Sequence, residues 1–192
     1  MMQRYLAPSK YVDWQSGNVL SKARELALGR TAKVDVARSC FEFVRDEIKH
    51  SGDYELNPVT CRASDVLGHG TGFCYAKSHL LAALLRANDI PAGLCYQRLT
   101  IEGDSPPFCL HGLTAVLLEP YGWYRVDARG NKEGVEADFT PPVEKLAFPI
   151  ISEGEADLPE IWSEPLEVVV RVLEKSRTYL EVADNLPDVE LI

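Results

Sequence analysis

At 192 residues, with 46% apolar and 26% charged side chains, the chain has the balance of a globular protein and enough length to bury one sizeable core, so a single domain over residues 1–192 is expected. Net charge is −9 and unevenly placed: residues 133–192 hold 15 acidic and 4 basic side chains, the remainder 14 and 16. Such a surface repels phosphate backbones, which argues against a nucleic-acid partner, and the acidic C-terminal extension reads as a solvated face and tail. No stretch approaches the roughly 20 apolar residues that cross a bilayer, and residues 1–10 lack the apolar run of a secretory signal, so a cytoplasmic protein without membrane attachment is expected.

In chain order, residues 18–28 form a helix stopped by Gly29, with Leu20, Ala23 and Ala27 inward. Thr31 is a candidate N-cap for the next helix, where Val34, Ala37, Phe41, Val44 and Ile48 recur at helical spacing. Residues 51–72 are broken by Gly, Pro and Asn and read as a loop with one helical turn at 63–67, ending in His69-Gly70-Thr71-Gly72. A helix opens at Cys74 and is apolar over most of its circumference from Leu80 to Ala87, the pattern of a helix buried against several partners. After Pro91 the period becomes two: residues 92–101, 111–118 and 123–128 read as strands, with a loop at 102–107 and a turn at 120–122. Ser163-Glu164-Pro165 signals a last helix carrying Leu166, Val169, Val170 and Leu173. Helices followed by an antiparallel sheet make the fold class α+β.

The five cysteines are odd in number and contain no Cys-x-x-Cys pair, which suits a reducing compartment. Cys74 stands apart from the others. It follows a Gly-Thr-Gly turn and opens the most apolar helix, where outward N–H groups favour a thiolate and can hold an oxyanion. Gly72 removes a side chain where an acyl substrate would approach the backbone. His111 opens a strand directly after a loop and is the candidate base, and Asp127, one strand later, can accept the second ring N–H and fix its orientation.

A regular hairpin centred on Tyr121 sets His111 opposite Asn131, with Asp127 four residues away on the same face, so Asn131 is an alternative orienter unless a bulge brings Asp127 into place. Cys40 and Cys95 read as packing, as does Cys109, which also has a chance to line the cleft; Cys61 is a loop residue without a role. His50 at a helix end suits a cation facing the dipole, His69 reads as a solvated loop residue, His79 points away from Cys74, and Trp123 packs while walling the cleft. No close pair of metal ligands occurs, so neither a metal nor another cofactor is expected.

The run GTGFCYAKSHLLAALLRANDIPA resembles the active-site segment of the transglutaminase-like superfamily, and His111-Gly-Leu-Thr-Ala-Val-Leu-Leu, Gly122-Trp123 and Val126-Asp127 resemble its histidine and aspartate strands. The resemblance covers about residues 30–130 and departs at His111-Gly-Leu, where many members carry a small residue and Trp. It implies a papain-like core, a Cys74–His111–Asp127 triad, with Asp127 favoured over Asn131, and hydrolysis or acyl transfer on a peptide or small amide through a Cys74 thioester. An arylamine N-acetyltransferase-like activity on the same triad, or a binding module without turnover, are the alternatives.

Overall fold

The computed structural model describes residues 2–189. After a short 3-10 turn (Met2–Tyr5) come α1 (Gly17–Ala27), α2 (Lys33–Glu47), β1 (Lys49–His50), α3 (Ala63–His69), β2 (Thr71–Gly72) and α4 (Cys74–Arg86). The second half holds β3 (Ala92–Thr100), β4 (Phe108–Leu118), β5 (Gly122–Val126), β6 (Ala156–Asp157), α5 (Glu167–Lys175) and α6 (Tyr179–Ala183). The antiparallel sheet has the order β5-β4-β3-β6, while β1 and β2 form a two-residue parallel ladder that sets His50 beside Gly72. The architecture is α+β with a papain-like core, as expected.

Helix α4 is the axis of the molecule. It packs on β3 and β4 on one side and on α1, α2 and α3 on the other, and every one of its residues is buried. Leu80, Leu81, Leu84 and Leu85 are almost wholly removed from water, each contributing about 1.5–3 kcal/mol of transfer free energy. Its polar side chains are buried with partners. Lys77 donates to the carbonyls of Ile48 and Arg45, Ser78 to that of Cys74, and Arg86 to those of Ala92, Ala7 and Ser163. Burial pushes the Lys77 ammonium down to about 7 because the charged form loses its hydration.

Several boundaries differ from the sequence reading. The N-cap of α2 is Ala32, without a side-chain cap bond, so Thr31 does not serve there. The segment expected to be mostly loop contains all of α3 and the β1–β2 ladder. Strand β4 begins at Phe108 and places His111 three residues inside it. Strand β6 and helix α6 carry too few residues to show a period.

Candidate active site

Two elements converge on the first turn of α4. Cys74 is the first residue of that helix, after an extended Phe73, so its amide is one of the N–H groups no helical carbonyl can satisfy. The edge of β4 passes beside it: Gly112 donates its N–H to the Cys74 Sγ at 3.5 Å, and the Tyr75 hydroxyl donates to the Leu110 carbonyl. This approach requires glycine at 112. A Cβ built there would lie 3.0 Å from the Cα and 3.2 Å from the N of Tyr75, and backbone atoms cannot yield as a flexible side chain can. Gly112, directly after His111, is therefore the residue that lets the strand reach Cys74.

Gly72 has another role than the sequence suggested. Its missing Cβ would meet Thr60 Oγ1 at 3.1 Å and Ala76 Cβ at 3.2 Å. Internal packing under α4 excludes a side chain at this position, rather than an approaching substrate.

His111 and Asp127 are joined. His111 Nε2 lies 2.7 Å from Asp127 Oδ2, which leaves Nδ1 of the ring for the thiol. The carboxylate is wholly buried and held by two further donors, the amide of Arg129 on Oδ1 and that of Ala147 on Oδ2, both at 3.2 Å. Those bonds and the His111 charge outweigh the opposing effect of burial and lower the Asp127 carboxyl below its ordinary range. For His111, burial alone would lower the imidazole, but Asp127 and Cys74 push it up to about 10. The ring is further seated edge-on against Phe148, with centroids 5.0 Å apart.

Asn131 is elsewhere: its amide exchanges two hydrogen bonds with the backbone of Ala137. The hairpin places Leu118 opposite Gly122 and Thr114 opposite Val126, so its centre sits one residue earlier than Tyr121 and the ladder ends before Asp127. Freed from the ladder, Asp127 turns its carboxylate back to His111 without a bulge in the paired strand.

Cys74 and His111 line a cleft of about 540 Å³, with Asp127 buried behind the histidine. Cys109 lines it, as does His50, whose sequence reading needs correction. His50 is not a cation at a helix end. It lies in β1, and burial together with Arg129 pushes it down to about 3, so the ring is neutral at pH 7. Its Nδ1 lies 3.3 Å from the Asp53 amide and 3.6 Å from the Asp53 carboxylate. Trp123 does not wall the cleft: it stacks edge-on against Tyr5 with centroids 4.8 Å apart, beside the small cluster of Cys95, Leu113 and Ala115. His79 is buried with Nδ1 on the Cys61 carbonyl, and His69 ends α3 outside the cleft.

All five cysteines are free. Burial pushes Cys40, Cys61, Cys95 and Cys109 up to about 12, so these four are neutral thiols at physiological pH. Cys74 is the one paired with an imidazole.

An α+β papain-like core, with a cysteine at a buried helix start and a His–Asp pair on the adjoining sheet, is the class defined by fold and site together. The sequence model of the transglutaminase-like superfamily matches residues 21–128, more than half of the chain. The chain belongs to the transglutaminase-like superfamily. No curated protein matches it in sequence. Among solved structures it is similar to a candidate cysteine protease from Cytophaga hutchinsonii, with 20% identity, a TM-score of 0.52, and coverage of 67% of this chain and 42% of the other. It is also similar to the periplasmic domain of TgpA from Pseudomonas aeruginosa, with 17% identity, a TM-score of 0.50, and coverage of 66% and 46%. The chain thus spans less than half the length of both, and the likeness is one of fold. Among the described residues no helix is long and apolar enough to cross a membrane.

Proposed function

We propose that the protein is a cysteine enzyme that cleaves or exchanges acyl groups through a thioester on Cys74. The observation that carries this reading is the buried His111–Asp127 ion pair whose free ring nitrogen is left for a thiol at a helix N-terminus. Cys74 attacks the carbonyl of an amide or ester, forming the S–C bond. The oxyanion is met by the Cys74 amide at the helix start. His111, held as imidazolium, gives the Nδ1 proton to the leaving amine or alcohol as the C–N or C–O bond breaks. Water or an amine then attacks the thioester, returning one proton to His111 and releasing the acyl product as the C–S bond breaks. Asp127 holds the ring throughout and does not itself become protonated. With four high-pKa thiols and no disulfide, a reducing compartment such as the cytoplasm is the setting we propose.

The test is to trap the acyl-enzyme. Incubation with a short apolar thioester at pH 6, acid quenching and peptide mass mapping are expected to show the acyl mass on the peptide containing Cys74. Acyl groups distributed over other cysteines, or found on none, would contradict a thioester enzyme and favour a binding module on the same fold.

A further inference from the structure

The C-terminal segment occupies the approach a polypeptide substrate would need. Below its last pair with β5 at Thr114, the outer edge of β4 is free of strand partners and runs past Cys74. An extended peptide entering a cleft beside such an edge gains affinity by adding to it through main-chain hydrogen bonds. On this edge the Leu110 N–H already donates to the Pro187 carbonyl at 2.7 Å, and the Leu110 carbonyl already accepts from Tyr75. The segment holding Pro187 is anchored on both sides. Asp188 forms a bidentate pair with Arg98 at 2.7 Å on each oxygen, Arg98 being the residue directly across the ladder from Leu110. The Arg98 guanidinium lies 3.9 Å above the Phe108 ring, and Leu186 packs against the main core while also lining the cleft.

What remains open is a cleft of about 540 Å³, in the size range of small-molecule sites. Its wall is largely apolar: Leu99, Ile101, Leu110, Phe148, Ile151 and Leu186. The charged groups that line it are already partnered. Glu155 accepts from the amides of Thr100, Ile151 and Ser152, and Arg129 pairs with Asp53 at 2.7 Å. An anionic acyl group entering here loses hydration and meets the Glu155 carboxylate, and a cationic one exchanges its hydration for that single carboxylate, already taken up by three amides, so in both cases a cost falls on binding.

Resting on the reading of Cys74 as nucleophile, we infer that the cleft serves a short, uncharged, apolar acyl donor, and that residues 184–189 are an end wall that excludes polypeptide chains. The test uses the full chain and three probes with one acyloxymethyl ketone warhead, carried on acetyl-leucine, on acetyl-glutamate, or on the leucine end of a decapeptide. Labelling of Cys74 is followed by mass spectrometry. The acetyl-leucine probe is expected to label at least about tenfold faster than either of the others, a difference of about 1.4 kcal/mol.

In Asp188→Ala the decapeptide rate is expected to rise toward that of acetyl-leucine, while iodoacetamide alkylation of Cys74 stays unchanged. Leu186→Ala, which thins the wall without touching the ion pair, is expected to shift in the same direction. The charge-swapped pair Arg98→Asp with Asp188→Arg is expected to restore wild-type discrimination. The inference is overturned by a decapeptide or glutamate probe that labels wild type as fast as acetyl-leucine. It is equally overturned by unchanged discrimination in both wall variants, or by slow labelling with all three probes beside fast iodoacetamide alkylation. Slow labelling by all three probes and by iodoacetamide would overturn instead the nucleophile reading on which it rests.

Discussion

The Cys74→Ala variant is expected to fold like the parent and to lose turnover by about 10⁴-fold or more, the scale on which covalent nucleophiles are missed. The fold is expected to persist for a local reason. Cys74 lies at the margin of the core, and the leucines that fix α4, Leu80, Leu81, Leu84 and Leu85, lie two to three turns further on, almost wholly buried. Losing Sγ releases the Gly112 amide, 3.5 Å away, and the His111 imidazole, and leaves a methyl group at a helix position that suits alanine. Steady-state hydrolysis of a short apolar amide gives the activity, and far-ultraviolet circular dichroism with a melting curve gives the fold. A variant that is folded and retains more than about a hundredth of the activity would exclude covalent catalysis at this residue.

Asp127→Asn is expected to act on both activity and stability. Its carboxylate accepts three hydrogen bonds in a wholly buried position. An amide has one acceptor oxygen and turns its NH₂ donors toward at least one N–H. The His111 imidazolium loses its counter-charge, the buried ring reverts toward its neutral form, and kcat is expected to fall by about 10²- to 10⁴-fold. Breaking a buried pair by removing one charge costs about 3–5 kcal/mol.

The pH dependence of that stability loss has a definite sign. The ordinary imidazole value is 6.5 and the folded one about 10, so the His111 contribution is full below 6.5 and disappears as pH rises through about 10. Asp127 is shifted down from 3.8, so its contribution is full above that value and is lost as pH falls below it. The gap between wild type and Asp127→Asn in urea-unfolding midpoints is therefore expected to be widest between the two ordinary values and to narrow toward pH 10. A gap that widened steadily with pH would contradict a charged pair.

Much of this site is legible in the residues because its parts are local. A cysteine opening a helix that is apolar over most of its circumference from Leu80 to Ala87 is visible in that one run, and the strands after Pro91 announce themselves by period. The order cysteine, histidine, aspartate is likewise written along one chain. What was hidden depends on contacts distant in sequence. Whether Asp127 or Asn131 meets His111 turns on where the ladder between β4 and β5 ends, after Val126, which strand periodicity does not fix. The Ala147 amide and the Phe148 ring that seat the Asp127–His111 pair come from a segment without a period of its own. His50 looked like a helix-end cation because nothing nearby in sequence reveals Arg129, which helps keep it neutral. The role of Gly112 needed the position of Tyr75, and the wall formed by residues 184–189 needed Arg98 and Leu110, each more than seventy residues away.

The central claim is that Cys74 alone among five cysteines is activated by a charged imidazole, and alkylation at pH 6 measures it directly. With limiting iodoacetamide, the label is expected to appear on Cys74 at least about tenfold faster than on a free small-molecule thiol, whose ordinary value near 8.5 leaves it almost wholly protonated there. Cys40, Cys61, Cys95 and Cys109, all pushed up to about 12, are expected to remain unlabelled over the same interval. A Cys74 rate no greater than that of the free thiol, or label shared evenly among the five, would contradict the account.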